Sequence, residues 1–388
     1  MIDQLKANGK TDFIRNKTGL VPDAYFSATK LAWLLRELNL TERAKRGELC
    51  FGTVDSYLMW HMLSDRPHVT DVSNASRTML MNLRTLDWDE ELLQLFDIPR
   101  EILPTIKDTI GEFGVLDPYV LGASIPVTAV AGDQQAALFG QACFTPGMTK
   151  NTYGTGCFVL QNTGNKLVIG DEPLLASVAW KHGSNITYAL EGSVFIGGAA
   201  IQWLRDELKI ITSADETEEL ARSIPDNQGV YLVPAFSGLG APYWDSYARG
   251  TLIGMTRGTG RSHFARAALE SIAYQSKDAL DSIERASGLA VPELRVDGGA
   301  SANNLLMQFQ ADMLDRPVLR PKTLETTALG AAWMAGVGAE HDMDAIKNCW
   351  QADLTFHSTI KPSERDSYLS GWRRAVKRSM QWANIADD

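Results

Sequence analysis

Apolar residues recur at helical spacing in the first hundred residues, and this spacing predicts helices over residues 26–38, 54–63 and 89–98. The short apolar run IPVTAVAG in residues 125–132 predicts a strand, and the segment GDQQAALFGQ that follows it predicts a helix. A buried strand, a glycine, an acidic residue and a helix in that order are typical of an α/β domain. We therefore expect an α/β fold in this part of the chain.

The pattern changes after Pro146, where strand-like segments come first and helices return later. Residues 148–164, MTKNTYGTGCFVLQNTG, predict a β-hairpin, because two strand-like runs flank a glycine-containing turn. A chain of 388 residues also favours two domains over one. We therefore predict a first domain over residues 1–142 and a second domain over residues 143–388.

Composition narrows the classes of partner. The chain has 47 acidic residues against 37 lysines and arginines, and its formal charge of −10 argues against nucleic acid or an anionic membrane as a partner. No apolar run is long enough to span a bilayer. The four cysteines form no CxxC pair, which is typical of reduced thiols in a cytoplasmic protein. The six histidines show no metal-ligand spacing, so no metal held by side chains alone is predicted.

A glycine-rich turn follows a predicted strand in residues 296–304, VDGGASANN. Glycines let a backbone approach a ligand closely, and the N-terminus of the next helix favours negative charge. In a turn of that kind Asn303 could reach a purine or ribose edge. An ordinary tight turn between a strand and a helix explains the same residues, so this motif by itself leaves both interpretations open.

A second glycine-containing turn lies inside the predicted hairpin, where Gly154 and Gly156 flank Thr155. Such a turn can present backbone amides and one hydroxyl group to a phosphate. A hairpin turn without a ligand would also accommodate this sequence. Two glycine-rich turns in one predicted domain favour a nucleotide more strongly than either turn does alone.

The segment GDQQ places Asp133 at the carboxyl end of a predicted buried strand. Ligands of α/β sheets bind at that end of the strands, and an aspartate there can accept a proton from a hydroxyl group during phosphoryl transfer. The alternative is that Asp133 caps the N-terminus of the following helix. The residues alone do not separate these two roles.

A pair of glycines also precedes a predicted helix in residues 195–202, FIGGAAIQ. Close packing of the helix start is sufficient to explain Gly198 and the glycine before it. Gln202 follows one turn later. Local sequence alone therefore favours a packing role for this segment.

Several long motifs, taken together and in order, resemble the FGGY carbohydrate kinases. The segments YFSATKLAWLLRE (Tyr25–Glu37) and GTLIGMTRGTGRSHFARAALE (Gly250–Glu270) resemble the two family signatures. AGDQQAALFGQ, KNTYGTGCF and RVDGGASANN also resemble family segments, and the likeness runs along nearly the whole chain. The resemblance implies two actin-like domains of the ribonuclease H type, with ATP bound in the cleft between them.

The resemblance implies a role for particular residues. Asp133 resembles the catalytic base of the family, and Gln134 lies beside it on the substrate. Tyr25 resembles a contact to a substrate hydroxyl group, and Phe158 resembles an aromatic wall against the carbons of glycerol. The residues implied for nucleotide binding are Thr155, Gly198, Gln202, Gly299 and Asn303.

The implied activity is phosphorylation of glycerol by ATP, with Mg²⁺ bridging the phosphates. Glycerol and ATP are then the ligands, and homo-oligomerisation is left open. Two alternatives also remain open. One is a kinase of the same family for another polyol or sugar, and the other is a catalytically silent protein that only binds nucleotide.

One departure from the family pattern affects these expectations. The family opens with a strand pair that carries a DQGTTS-like phosphate-binding turn, and nothing similar occurs in this sequence. The sequence therefore predicts a chain that begins inside the first domain, so that the first domain is incomplete. It also predicts that the chain by itself is inactive.

Overall fold

The computed structural model describes residues 1–170 and 174–384. Its helices are α1 (Ile2–Ala7), α2 (Thr11–Thr18), α3 (Ser27–Glu37), α4 (Thr41–Lys45), α5 (Val54–Met62), α6 (Val72–Ala75), α7 (Glu90–Phe96), α8 (Pro118–Leu121), α9 (Asp133–Gly140), α10 (Ala199–Asp206), α11 (Glu216–Arg222), α12 (Arg261–Ser287), α13 (Asn304–Leu314), α14 (Thr326–Gly338), α15 (Met343–Cys349) and α16 (Pro362–Ser379). Short 3₁₀ turns cover Arg100–Ile102 and Gly299–Ala302.

The strands are β1 (Val69–Asp71), β2 (Met81–Asn82), β3 (Asp87–Trp88), β4 (Thr105–Lys107), β5 (Ile110–Val115), β6 (Pro126–Ala129), β7 (Thr149–Tyr153), β8 (Cys157–Gly164), β9 (Leu175–His182), β10 (Asn185–Val194), β11 (Tyr231–Val233), β12 (Thr251–Ile253), β13 (Leu294–Asp297), β14 (Val318–Pro321) and β15 (Ala352–Phe356). The predicted helices over residues 26–38, 54–63 and 89–98 are confirmed by α3, α5 and α7. The predicted strand before GDQQ is confirmed by β6, and the helix after it by α9.

Seven described strands of the second half form one sheet in the order β15-β14-β13-β7-β8-β10-β9, and β11 and β12 form a separate antiparallel pair. Strands β7 and β8 pair antiparallel, which confirms the predicted hairpin, while β7 and β13 pair parallel. Strands β7 and β13 lie side by side and run in the same direction. The turn after β7 and the turn after β13 therefore lie at the same edge of the sheet. The pairing thereby brings together two glycine-rich motifs that lie about 145 residues apart in the sequence.

Helix α12 covers one face of this sheet and carries the largest part of the apolar core. Its apolar residues include Ile272, Leu280 and Ile283, which are essentially inaccessible to solvent. The helix ends at Gly288, whose φ of 69° is the left-handed C-cap conformation that glycine adopts readily. Close approach to β10 is allowed by Gly192, since a Cβ there would lie 2.9 Å from the Cβ of Ala279.

The first part of the chain consists mainly of helices around small sheets. In the described residues β1 pairs parallel with β4, and β5 pairs antiparallel with β6. Asp71 at the end of β1 is fully buried and caps α6 through the backbone N–H groups of Ser73 and Asn74. Strand β6 leads directly into α9, so this small sheet fixes where α9 begins.

Helices α9 and α14 pack so closely that side chains are excluded at the crossing. A Cβ added to Gly330 would overlap the carbonyl oxygen of Ala136, and one added to Gly140 would overlap the carbonyl oxygen of Thr326. Glycine at these two positions therefore lets the two helix backbones touch. Since α9 begins at Asp133, this contact ties the position of that residue to the second half of the chain.

The substitution Gly330→Ala is expected to destabilise the fold by about 1–3 kcal/mol or more, because the helices must separate to admit the methyl group. Gly336→Ala on the same helix is a matched control, since its Cβ would come no closer than 3.9 Å to a neighbouring atom. Chemical unfolding of both variants measures the difference. Equal stability of the Gly330 variant and the wild type would show that the crossing is looser than described.

Candidate active site

All five residues proposed for nucleotide contact line one cavity of about 530 Å³. Thr155 comes from the β7–β8 turn, Gly198 and Gln202 from the start of α10, and Gly299 and Asn303 from the segment between β13 and α13. The structure thus brings together residues from three separate parts of the sequence. Their contact with a nucleotide stays a prediction.

Backbone hydrogen bonds join the β7–β8 turn to the start of α10. The carbonyl oxygen of Gly154 accepts from the N–H of Gly198 at 2.8 Å, and that of Thr155 accepts from the N–H of Gly197 at 2.8 Å. A Cβ on Gly156 would overlap the carbonyl oxygen of Val194, which explains why a strand-like segment contains glycine there. Packing therefore explains part of this motif, while the exposed Thr155 also lines the cavity.

In the turn after β13, one glycine is required for close packing and the next one borders the cavity. Gly298 has a φ of 84°, and a Cβ there would lie 2.6 Å from the carbonyl oxygen of Tyr153. Gly299 has no atom within 4 Å of its added Cβ, so its open side is the cavity. Asn303 caps α13, because its Oδ1 accepts from the N–H of Leu306 at 2.9 Å. A purine or ribose contact would therefore use the amide nitrogen of Asn303.

Asp297, at the end of β13, is directed into the protein and away from this cavity. Its Oδ2 accepts from Gln141 Nε2 at 2.8 Å and from Thr326 Oγ1 at 2.6 Å. Asp297 is nearly inaccessible to solvent. The carboxylate thus joins the end of α9 to the start of α14, and this contact reinforces the helix crossing described above.

Asp133 is the first residue of α9, and its side chain is exposed. The N-cap of the helix is Gly132, so the interpretation of Asp133 as the N-cap residue is wrong. Among the described residues, Gln134 is its one hydrogen-bond partner: Oδ1 accepts from the adjacent N–H at 2.8 Å, and Oδ2 lies 3.5 Å from Gln134 Nε2. The carboxylate therefore keeps capacity to accept a proton from a bound hydroxyl group.

Tyr25 is exposed and lies just before α3, with its ring edge-on to Phe26 at 5.3 Å. Desolvation of the hydroxyl group raises the pKa of Tyr25, and the charges of Arg77, Glu191 and Asp133 also act on it. The charge of Asp133 therefore acts on the hydroxyl group of Tyr25.

Arg77 and Glu191 form a two-point ion pair beside these residues. Arg77 Nη1 lies 2.9 Å from Glu191 Oε2, and its Nη2 donates to Oε1 at 3.1 Å. Ser193 Oγ also donates to Glu191 Oε1, at 2.6 Å. The pair joins the segment after α6 to β10, and it gives this wall of the site a fixed arrangement of charge.

Phe158 lies on β8 opposite Thr152 of β7 and packs against the cluster around Phe139 and Trp180. Thr152 Oγ1 accepts from Lys150 Nζ at 2.7 Å, and the same Nζ donates to Gln134 Oε1 at 2.6 Å. A chain of contacts therefore joins Phe158, through Thr152 and Lys150, to Gln134. The half-buried ring of Phe158 forms an apolar surface beside the polar group of residues.

Sequence reasoning missed three charged residues at this site: Lys150, Arg77 and Glu191. Lys150 stands in KNTYGTGCF, the segment that contains Thr155, and a lysine in the middle of a strand is a signal that could have been followed. Arg77 and Glu191 lie 114 positions apart, so nothing local in the sequence indicates their pairing. In the described residues no group of three or more side chains is arranged to hold a metal ion.

The fold and this arrangement of residues define a sugar-kinase-like protein, and the chain belongs to the FGGY family of carbohydrate kinases. The model of the family's C-terminal domain matches residues 149–339, and that of its N-terminal domain matches residues 1–140. The chain is accordingly a phosphotransferase with the two-domain α/β architecture of actin-like ATPases, as the sequence predicts. No helix in the described part of the chain has the length and apolar character needed to cross a membrane.

Among curated proteins the chain is similar to glycerol kinases. It is 55% identical over 383 residues to glycerol kinase 2 of Thermotoga maritima and 53% identical over 384 residues to the glycerol kinase of Alkaliphilus metalliredigens. Each match covers 98% of this chain and 77% of the relative. A crystal structure of Plasmodium falciparum glycerol kinase with ADP is 36% identical, with a TM-score of 0.90, and the match covers 97% of this chain and 76% of that chain.

A xylulose kinase structure from Lactobacillus acidophilus has a TM-score of 0.85 at 22% identity and shares the fold.

The expectation of an incomplete first domain is not supported by the comparisons, because the N-terminal domain model matches residues 1–140. The chain spans 77% of the length of the two curated relatives. The division at residue 142 stays a prediction.

Proposed function

We propose that this protein transfers the γ-phosphoryl group of ATP to a hydroxyl group of glycerol. The observation that carries the proposal is Asp133, an exposed carboxylate at the first turn of α9 that does not serve as the N-cap. The sequence identity of the chain, over most of its length, to proteins named glycerol kinase supports the choice of substrate. Asp133 takes the proton from the attacking hydroxyl group as the phosphoryl group is transferred.

The neighbouring residues orient the substrate in this proposal. Gln134 and Tyr25 contact hydroxyl groups of glycerol, and Phe158 lies against its carbon chain. The carboxylate, the amide and the phenol are polar contacts for a small polyol, while one aromatic face covers its apolar edge. A site that holds the hydroxyl group close to Asp133 gains rate mainly by positioning.

The cavity lined by Thr155, Gly299 and Asn303 takes the nucleotide. Thr155 supplies a hydroxyl group and backbone amides for the phosphates, while Gly299 and Asn303 lie against the adenosine part. Gly198 and Gln202 complete the wall formed by α10. Glycine matters at these turns because an added Cβ would reduce the space for the ligand.

Mg²⁺ fits this arrangement only as a companion of the phosphates. Mg²⁺ usually keeps several waters and is held by one or two carboxylates together with substrate phosphates, and the exposed Asp133 is the carboxylate proposed nearest to the reacting group. When bound, the ion neutralises charge that develops on the phosphates. Thr155 and Asp133 are the residues that would face it.

The expected substrate preference can be measured directly. With purified protein, ATP and Mg²⁺, kcat/KM is expected to be higher for glycerol than for xylulose, gluconate or erythritol, since a longer carbon chain would need additional room beside the proposed aromatic wall of Phe158. ADP release without polyol is the background control. A higher value for any of the other three would overturn the choice of glycerol and leave the family assignment intact.

The same assay tests the expectation that the chain by itself is inactive. That expectation rests on an incomplete first domain, which the match over residues 1–140 does not support. We therefore propose activity for the chain. Absence of glycerol-dependent turnover in a folded preparation would contradict the proposal.

A further inference from the structure

Lys150 is a fully buried lysine in the middle of β7. Its ammonium group donates to Gln134 Oε1 at 2.6 Å and to Thr152 Oγ1 at 2.7 Å. Among the described residues, no carboxylate oxygen lies within the 4.0 Å of Nζ that defines an ion pair. The group is therefore a buried cation whose close partners are neutral.

A buried cation without a direct counter-ion is costly for the fold. Desolvation lowers the pKa of Lys150, and the more distant charges of Asp297, Glu191 and Asp133 oppose that shift. An apolar side chain of similar length would avoid the desolvation cost and would fill the same space. Stability therefore does not explain why a lysine occupies this position, and its explanation must lie in what the ammonium group does.

The two hydrogen bonds of the Lys150 ammonium group indicate how it orients the Gln134 amide. An ammonium group can only donate, so it requires the carbonyl oxygen of the Gln134 amide on its side. The NH₂ end of the amide must then point the other way, where it lies 3.5 Å from Asp133 Oδ2. If the amide were flipped, two donors would face each other at 2.6 Å inside the protein.

We propose that Lys150 is a positioning residue, whose buried ammonium group holds the Gln134 amide with its NH₂ end toward Asp133 and the substrate hydroxyl group. The inference rests on the proposed function, because Gln134 and Asp133 take their roles from it. Lys150 itself touches neither glycerol nor nucleotide. It acts through Gln134, while Thr152 Oγ1 accepts the other hydrogen bond of the ammonium group.

The test is a double-mutant cycle with Lys150→Met, Gln134→Met and the double variant, in which methionine keeps the length of both side chains. Lys150→Met is expected to raise KM for glycerol and lower kcat/KM by about 10–100-fold, the range for loss of a charged hydrogen bond. The double variant is expected to be no worse than Gln134→Met, because both changes remove one contact. The dissociation constant for ADP should stay unchanged.

Stability separates a positioning role from a structural one. Lys150→Met should unfold at the same temperature as the wild type or a higher one, since the variant removes a buried charge. Lys181→Met is the matched control. Lys181 lies in the same sheet but pairs with Asp108, so its loss should leave glycerol kinetics unchanged. A lower unfolding temperature for Lys150→Met, together with losses that add in the double variant, would overturn the inference.

A measurement without turnover distinguishes failure of this inference from failure of the proposed function. In protein labelled with ¹⁵N-glutamine, the NH₂ signals of Gln134 are identified by their absence in Gln134→Met. Lys150→Met is expected to shift those signals, and unchanged signals would overturn the inference. A wild type that shows no glycerol-dependent turnover would instead overturn the proposed function, and the signals of Gln134 would still decide whether Lys150 holds the amide.

Discussion

Replacing Asp133 with asparagine is expected to lower kcat for glycerol phosphorylation by about 10²–10⁴-fold, the usual contribution of a general base. The physical reason is the loss of a proton acceptor beside the attacking hydroxyl group, with almost no change in shape. The fold should tolerate the change, because the side chain is exposed and its hydrogen bonds within the described part of the chain are to the adjacent Gln134. Steady-state rates and unfolding temperature measure the two parts of this expectation.

Asp117→Asn is a suitable control for the Asp133 variant. Asp117 is partly exposed and caps the short helix α8, a role that asparagine fills equally well. The control should therefore keep wild-type kcat and stability. An Asp133→Asn variant with near-normal kcat would remove the assignment of Asp133 as the base, whatever its effect on KM.

Replacing Gly299 with valine is expected to abolish adenine nucleotide binding in the concentration range where the wild type binds. An added Cβ at Gly299 meets no protein atom within 4 Å, so the branched side chain projects into the cavity lined by Thr155 and Asn303. The protein therefore has no need to rearrange, and the space lost is that of the ligand. Calorimetric titration with ADP measures the loss directly.

The matched control for that variant is Gly260→Val. Gly260 also has no atom within 4 Å of its added Cβ, and its backbone has the extended conformation that valine adopts readily. It does not line the nucleotide cavity, so ADP affinity should stay at the wild-type value. Equal ADP affinity of the wild type and the Gly299 variant would refute the adenosine site at this turn.

Much of the local structure was predictable because it depends on neighbours in sequence. Helical spacing gave α3, α5 and α7, and the run before GDQQ gave β6 and α9. The hairpin of β7 and β8 was predictable because its strands are adjacent in sequence and joined by a turn with glycine.

The role of individual residues was less predictable, because it depends on contacts between distant segments. The sequence left open whether Asp133 caps α9, and the structure excludes it by placing Gly132 at the N-cap. The sequence also gave no reason to expect Asp297 to join α9 to α14. The contacts of Asp297 depend on how the end of β13 meets α9 and α14, which are not its neighbours in sequence.

The sequence by itself determined the succession of strands and helices, the glycine-rich turns and the residue types available for phosphoryl transfer. Those features follow from side-chain periodicity and from the backbone freedom of glycine, which act over a few residues. Only the tertiary structure decided that β7 lies between β8 and β13, which places Thr155, Gly198 and Asn303 around one cavity. The tertiary structure also buried Lys150 against Gln134. Sheet order and helix packing are set by long-range burial of apolar surface, and the local pattern does not encode which distant segments will meet.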